Sequence, residues 1–276
     1  APPTMYAPPA AERGELIAPV ELKVFRYIAA VTGHFSQDHG GTKPLVLSAV
    51  TEYTNMISAI FERDANLRLQ LAAATQNVMF LDPATDPYTG TTVQDWHNAN
   101  SDVLNQYCNF NSHDLGHVYA RYLGGDASGV GTSGVCGNDK AKGCTSGTGF
   151  GDYGMGFVST IGQEVGHQLN SGHSWNSCNG GPGRAGQSAF EPGSGSTIMS
   201  YYGSCGPDNL DGPRIFGFHS GSIEEIKRVY TAGSGTTCGS FLTTPNNPPV
   251  VTLPYQSNLF IPIQTPFELN GSATDP

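Results

Sequence analysis

Gln163, Glu164, His167 and His173 are the residues in this sequence whose types and spacing could do chemistry together. The run Phe157–Ile161 just before them is apolar enough to start a helix. Residues four apart share a helix face, so position 163 and His167 point at one place and Glu164 stands one step round. Asn170 and Gly172 tolerate left-handed backbone, so the helix can break there and bring His173 back to the same place. Three protein donors with an open fourth position make a catalytic metal site, and a neighbouring carboxylate can then act as base toward a metal-bound water. Gln163 is the weak member, because a neutral amide is a poorer zinc ligand than imidazole. Outer-sphere changes alone typically cost about 10–100-fold in metal affinity or activity, and a change of ligand is expected to cost more.

A second signal lies downstream at Ser196-Thr197-Ile198-Met199-Ser200-Tyr201. It is similar to the methionine turn beneath the zinc site of metzincins, and residues 163–173 are similar to H-E-x-x-H-x-x-G-x-x-H. On these two motifs the chain resembles a metzincin zinc metalloprotease of the reprolysin (adamalysin-like) branch, in its secreted bacterial form, from about residue 21 to residue 240. The resemblance implies an α/β catalytic domain with a twisted, mostly parallel sheet, a zinc-binding helix and a Met-turn. It implies Zn2+ held by Gln163, His167 and His173, Glu164 as general base, Met199 supporting the site, and protein or peptide substrates. In related branches a tyrosine two residues past the methionine approaches zinc, which puts Tyr201 among the catalytic candidates. The strand before the zinc helix is a sheet edge in this family and pairs with extended substrate. That role falls here on His113, Asp114, Leu115, Gly116, His117 and Val118. The sequence departs from the motif at Asn170, a mild change, and at Gln163. Two outcomes follow from Gln163: an endopeptidase silenced or weakened at one ligand, or a non-catalytic pseudoprotease that uses the cleft to bind peptides or surfaces.

Other candidate sites are weaker. His113-Asp114-Leu115-Gly116-His117 imitates a zinc motif, but Leu123 occupies the slot of a third ligand. His34 and His39 lie in a stretch that reads as a loop without a rigid frame. Asp82, Asp86 and Thr89 have oxygens suited to Ca2+ but lack a calcium-loop pattern, so an ordinary turn is expected.

The formal charge of −10 over 276 residues argues against nucleic acid or anionic membrane as partner. No apolar run approaches the length of a membrane span. The chain starts at Ala1 without a leader-like segment and reads as a mature or trimmed form of a secreted, extracellular, monomeric protein. Six scattered cysteines support disulfides, with fifteen pairings possible. Proximity favours Cys136–Cys144. Cys178 and Cys205 flank the segment between the zinc helix and the Met-turn and are paired next, which leaves Cys108 with Cys238.

Four segments are expected: a flexible Pro/Ala-rich lead at 1–20, the catalytic domain at 21–240, a linker at 241–249 and a truncated β-sandwich start at 250–276. Within the domain the pattern predicts strands near 21–31, 67–71, 78–81 and 113–120, and helices over 44–64, 92–107, 155–169 and 220–232. Residues 124–154 read as a glycine-heavy loop and 174–195 as another long loop. Further strands are expected at 250–253 and 259–269.

Overall fold

The structure is a computed structural model that describes residues 21–121, 123, 128–147, 153–179, 181–247, 249–254, 259–268 and 270–275. The lead expected at 1–20 lies outside the described residues. Two compact units divide the chain, and Leu22–Leu242 is the larger.

In that unit the elements run β1 (Glu21–Val31), α1 (Gly33–Asp38), α2 (Lys43–Ala65), β2 (Leu67–Leu71), α3 (Val93–Tyr107), β3 (Leu115–Arg121), β4 (Gly129–Gly131), β5 (Gly143–Gly147), α4 (Met155–Gln168), α5 (Ser220–Ala232) and β6 (Ser240–Thr243). The sheet order is β2-β1-β3-β5-β4, with β6 joined to β1. β1 runs parallel to β2 and β3, β3 runs parallel to β5, and β4 is antiparallel to β5.

Alternation along β1 and β3 sorts side chains to two faces. Phe25, Tyr27, Leu115 and Tyr119 join the core that also contains Val50 and Ile57 of α2, Ile161 and Val165 of α4, and Ile226 of α5. Ile28, Val118 and Cys144 face the other way, into a core with Trp96 and Leu104 of α3. Thr92 caps α3 in a reciprocal capping box with Asp95, which satisfies amide groups that the helix leaves open.

Several expectations are corrected. The stretch 32–41 is not all loop: Thr32 accepts from the Phe35 amide and starts α1. No strand forms over 78–81. The chain makes a 3-10 turn at Ala73–Val78 and a single bridge from Met79 to Val31 before turning at Asp82-Pro83. The glycine-heavy stretch holds β4 and β5, strands whose small residues let neighbouring groups come close. β3 is not an edge, because β1 and β5 pair with its two sides.

Two disulfide expectations also fail. Cys136 bonds Cys238, while Cys178 bonds Cys205 as expected. Cys144 points into the α3-side core and Cys136 packs against the opposite core, so these near neighbours in sequence do not meet. Cys108 and Cys144 are free, buried thiols, and the Cys108 Sγ lies 3.5 Å from the Ala74 carbonyl.

Among the described residues past 243, β7 (Val250–Thr252) pairs antiparallel with β8 (Ser272–Thr274). The strand expected over 259–269 is absent from its described residues, and Phe260 and Ile263 are exposed.

Candidate metal centre and active site

α4 carries the site because one side of it is committed to the core. Phe157, Val158, Ile161, Val165 and Leu169 are buried there. The helix ends in a Schellman-type turn. Asn170 takes left-handed backbone at φ 61°, and the Ser171 amide reaches back to the Gly166 carbonyl at 2.9 Å. This reversal brings His173 to His167, with the two Nε2 atoms 2.9 Å apart. The His167 Nδ1 is 2.8 Å from the Ser171 carbonyl, which can only accept. His167 therefore carries its proton on Nδ1 and turns an Nε2 lone pair toward His173. Burial lowers the pKa of both imidazoles, His173 to about 3 with a further push from His167. Both are neutral, the form that binds metals.

Gln163 is buried on the same face, and its Nε2 donates to the Ser200 carbonyl at 3.2 Å. That leaves Oε1 as the one atom it could offer a metal. The Glu164 carboxyl is pushed up to about 8 by burial, partly offset by the Gly131 backbone amide. Its neighbours are β4 glycines: a Cβ on Gly129 would lie 2.7 Å from the Glu164 Oε1.

Beneath the helix, Gly162 and Gly166 form a floor for the turn. A Cβ on Gly162 would touch Ile198, and one on Gly166 would stand 2.5 Å from the Met199 Sδ. Met199 is fully buried, and its carbonyl accepts from the Ser174 amide at 3.0 Å. Tyr201 stacks on Trp175 at 3.9 Å and lies 4.9 Å from the His173 ring. Burial and the nearby Glu164 raise its pKa. The Cys178–Cys205 disulfide sits in the same cluster and ties the His173 arm to the Tyr201 arm.

The segment His113–Val118 belongs to the interior of the fold. Asp114 accepts from the Arg26 guanidinium at 2.6 Å and from the Arg26 amide at 2.8 Å. His117 is fully buried, with Nδ1 2.9 Å from Gln168 Oε1 and Nε2 2.9 Å from Thr145 Oγ1. Leu115 and Val118 are core residues, and Gly116 makes room for Leu104. The substrate-binding role expected of these residues is therefore overturned. The terminal strand of the sheet near Glu164 is β4.

The sequence reading missed two carboxylates. Glu191 accepts from the Ser174 hydroxyl, the Ser196 and Thr197 amides and the Thr197 hydroxyl. Glu225 of α5 accepts from the Ser171 hydroxyl, the Gly172 amide and the Ser188 hydroxyl. The one hint in the sequence is Glu191 itself, an acid in Phe190-Glu191-Pro192 with no cation near it.

The sequence model of the M12B reprolysin-like metallopeptidase family matches residues 22–227. The chain belongs to that family. No curated protein matches the sequence. A solved structure titled "Structure of a chaperone-substrate complex" aligns at 13% identity and a TM-score of 0.47, covering 75% of this chain. This chain spans 34% of that one.

The family implies zinc, and the two facing imidazoles fit it. Gln163 fits only through an amide oxygen. Among the described residues no group of three His, Cys, Asp or Glu side chains could hold a metal.

Proposed function

We propose that this chain is a secreted zinc-endopeptidase scaffold whose metal binding is weakened at one ligand position, Gln163, so that it cuts proteins or peptides slowly or not at all. The observation that carries the reading is the 2.9 Å approach of the His167 and His173 Nε2 atoms above buried Met199 and beside Glu164. His167 and His173 would hold the ion, with the Gln163 amide oxygen as the weak third donor. When bound, zinc supplies Lewis acidity toward the scissile carbonyl and lowers the pKa of water. Glu164, raised to about 8 by burial in the metal-free chain, would be drawn back to its ionised form by the positive charge of a bound ion. As a carboxylate it takes the proton from the attacking water and later returns it to the leaving amine. Tyr201, stacked on Trp175 beside His173, presents a phenol toward the developing oxyanion. The side of β4 that no described strand covers is the template on which an extended peptide lies, because a terminal strand has unpaired backbone groups. Disulfides in the fold accord with an oxidising, extracellular setting.

A second reading is a pseudoprotease that binds peptides along β4 without cutting them. The Gln163 bond to the Ser200 carbonyl favours it, because the amide is engaged in holding the Met-turn.

Zinc content and casein cleavage, measured on this chain and on Gln163→His, separate the readings. Zinc binding and cleavage restored in Gln163→His support the weakened protease. Peptide binding without zinc or cleavage in either form supports the pseudoprotease.

A further inference from the structure

Among the described residues the His173 ring makes one hydrogen bond, to His167, so its position is set by its backbone and by its tilted contacts with Trp175 and Tyr201. That backbone is gripped on both sides. Before His173, Glu225 accepts from the Gly172 amide at 3.0 Å. After it, the Ser174 hydroxyl donates to the Glu191 Oε2. The same Glu191 carboxylate holds the start of the Met-turn, through the Ser196 amide at 2.9 Å and the Thr197 amide at 3.1 Å. The main chain repeats the link: the Glu191 amide reaches the Ser174 carbonyl at 2.7 Å, and the Ser174 amide reaches the Met199 carbonyl at 3.0 Å.

The space around Glu191 is built for a carboxylate. Gly195 has φ +68°, and a Cβ there would press on Glu191 Oε2 at 3.0 Å and on Ser200 at 2.6 Å. Glu191 is 4% exposed and has no cation within ion-pair reach among the described residues. An unpaired buried carboxylate is costly unless it is saturated with donors. Here the donors are drawn from two segments that the site must hold in register.

We infer that Glu191 is a positioning residue: through the Ser174 hydroxyl it clasps the segment carrying His173 to the Met-turn, and so fixes where the His173 imidazole faces His167. Its effect on zinc rests on the proposed function; its effect on the His173 ring does not.

The test therefore reads both. In the metal-free chain, the His173 ring lies tilted against Trp175, at 4.3 Å between centroids, so its protons are expected upfield of free histidine in the NMR spectrum through the indole ring current. Ser174→Ala removes one hydroxyl and leaves the fold, while Glu191→Ala removes the clasp. Both are expected to move the His173 signals toward free histidine. Glu191→Gln, whose carbonyl still accepts the two amides and whose neighbouring hydroxyls can turn to accept, is expected to keep them. In the Gln163→His background, Ser174→Ala and Glu191→Ala are expected to lower zinc affinity about 10–100-fold, with Glu191→Gln close to the parent. Unchanged His173 signals in folded Ser174→Ala would overturn the proposal, as would unchanged zinc affinity in a Gln163→His chain that binds zinc. Lost His173 signals in a chain whose Gln163→His form binds no zinc would uphold the clasp and remove the zinc reading instead. If Glu191→Ala fails to fold, Ser174→Ala decides.

Discussion

Gly166 and Met199 are in direct packing contact: a Cβ on Gly166 would stand 2.5 Å from the Met199 sulfur. α4 and the turn that carries Met199 are thus held at a spacing that only glycine allows. Gly166→Ala gains up to about 1 kcal/mol of helix propensity but overpacks a buried site, which typically costs about 1–3 kcal/mol. Overpacking wins, and the expected outcome is a lower denaturant midpoint. Met199→Ala should lose stability alone, yet combining it with Gly166→Ala should recover part of that loss. A coupling of about 1 kcal/mol in the double-mutant cycle is expected, and strict additivity would show that the two residues do not bear on each other.

His117 makes stability depend on acid. Burial lowers its pKa to about 4, more than the Gln168 hydrogen bond raises it. The unfolded imidazole titrates at its ordinary value of 6.5. As pH falls from there toward 4, the unfolded chain takes up a proton that the folded chain refuses, so stability falls. A shift of this size is worth on the order of 3 kcal/mol by the lower end of the window. His113, lowered to about 4 by burial, adds in the same direction. Urea melts across this range should show the slope, and His117→Gln should flatten part of it. An equal slope in the variant would locate the proton uptake elsewhere.

Much of the fold is legible where periodicity is strong. The α2 face of Val46, Val50 and Ile57 and the α5 face of Ile226, Val229 and Tyr230 are buried where a helical repeat puts them. The Gln163–His173 spacing is local, so one helix and the turn at Asn170 bring those residues together. What is not legible is non-local. β4 and β5 carry glycine, serine and threonine, whose strand character comes from neighbours and not from their own propensity. Whether β3 is an edge depends on those two unseen strands. Glu191 and Glu225 act across 17 and 53 residues, on partners that no pattern in the sequence announces.

The disulfide pairing can be counted directly. The structure has Cys136–Cys238 and Cys178–Cys205 bonded and leaves Cys108 and Cys144 as thiols. A thiol reagent should find about none in the native chain, because both are buried, and two per chain in denaturant without reductant. Peptide mapping that found Cys136 joined to Cys144 would contradict the sheet faces described above. Each bond closes a long loop, 27 and 102 residues, and its removal should cost about 3–5 kcal/mol. Only loss of Cys178–Cys205 should also loosen the Trp175–Tyr201 stack beside His173, visible as a change in tryptophan fluorescence.

The contact between β4 and Glu164 predicts a separation of folding from turnover. A Cβ on Gly129 would fall 2.6 Å from the Glu164 Cγ. β4 is short, half-buried and terminal in the sheet, so the strain stays outside the core. The nearest atoms met are all of the Glu164 side chain, which relieves the clash by turning its carboxylate. In the Gln163→His background, Gly129→Ala should leave the thermal midpoint within a few degrees and reduce kcat by tenfold or more, because general-base catalysis contributes about 10²–10⁴-fold and depends on position. KM should rise less than kcat falls, since the unpaired backbone of β4 remains available to an extended peptide. A variant with unchanged kcat and a raised KM would mean that β4 meets the substrate but does not constrain Glu164.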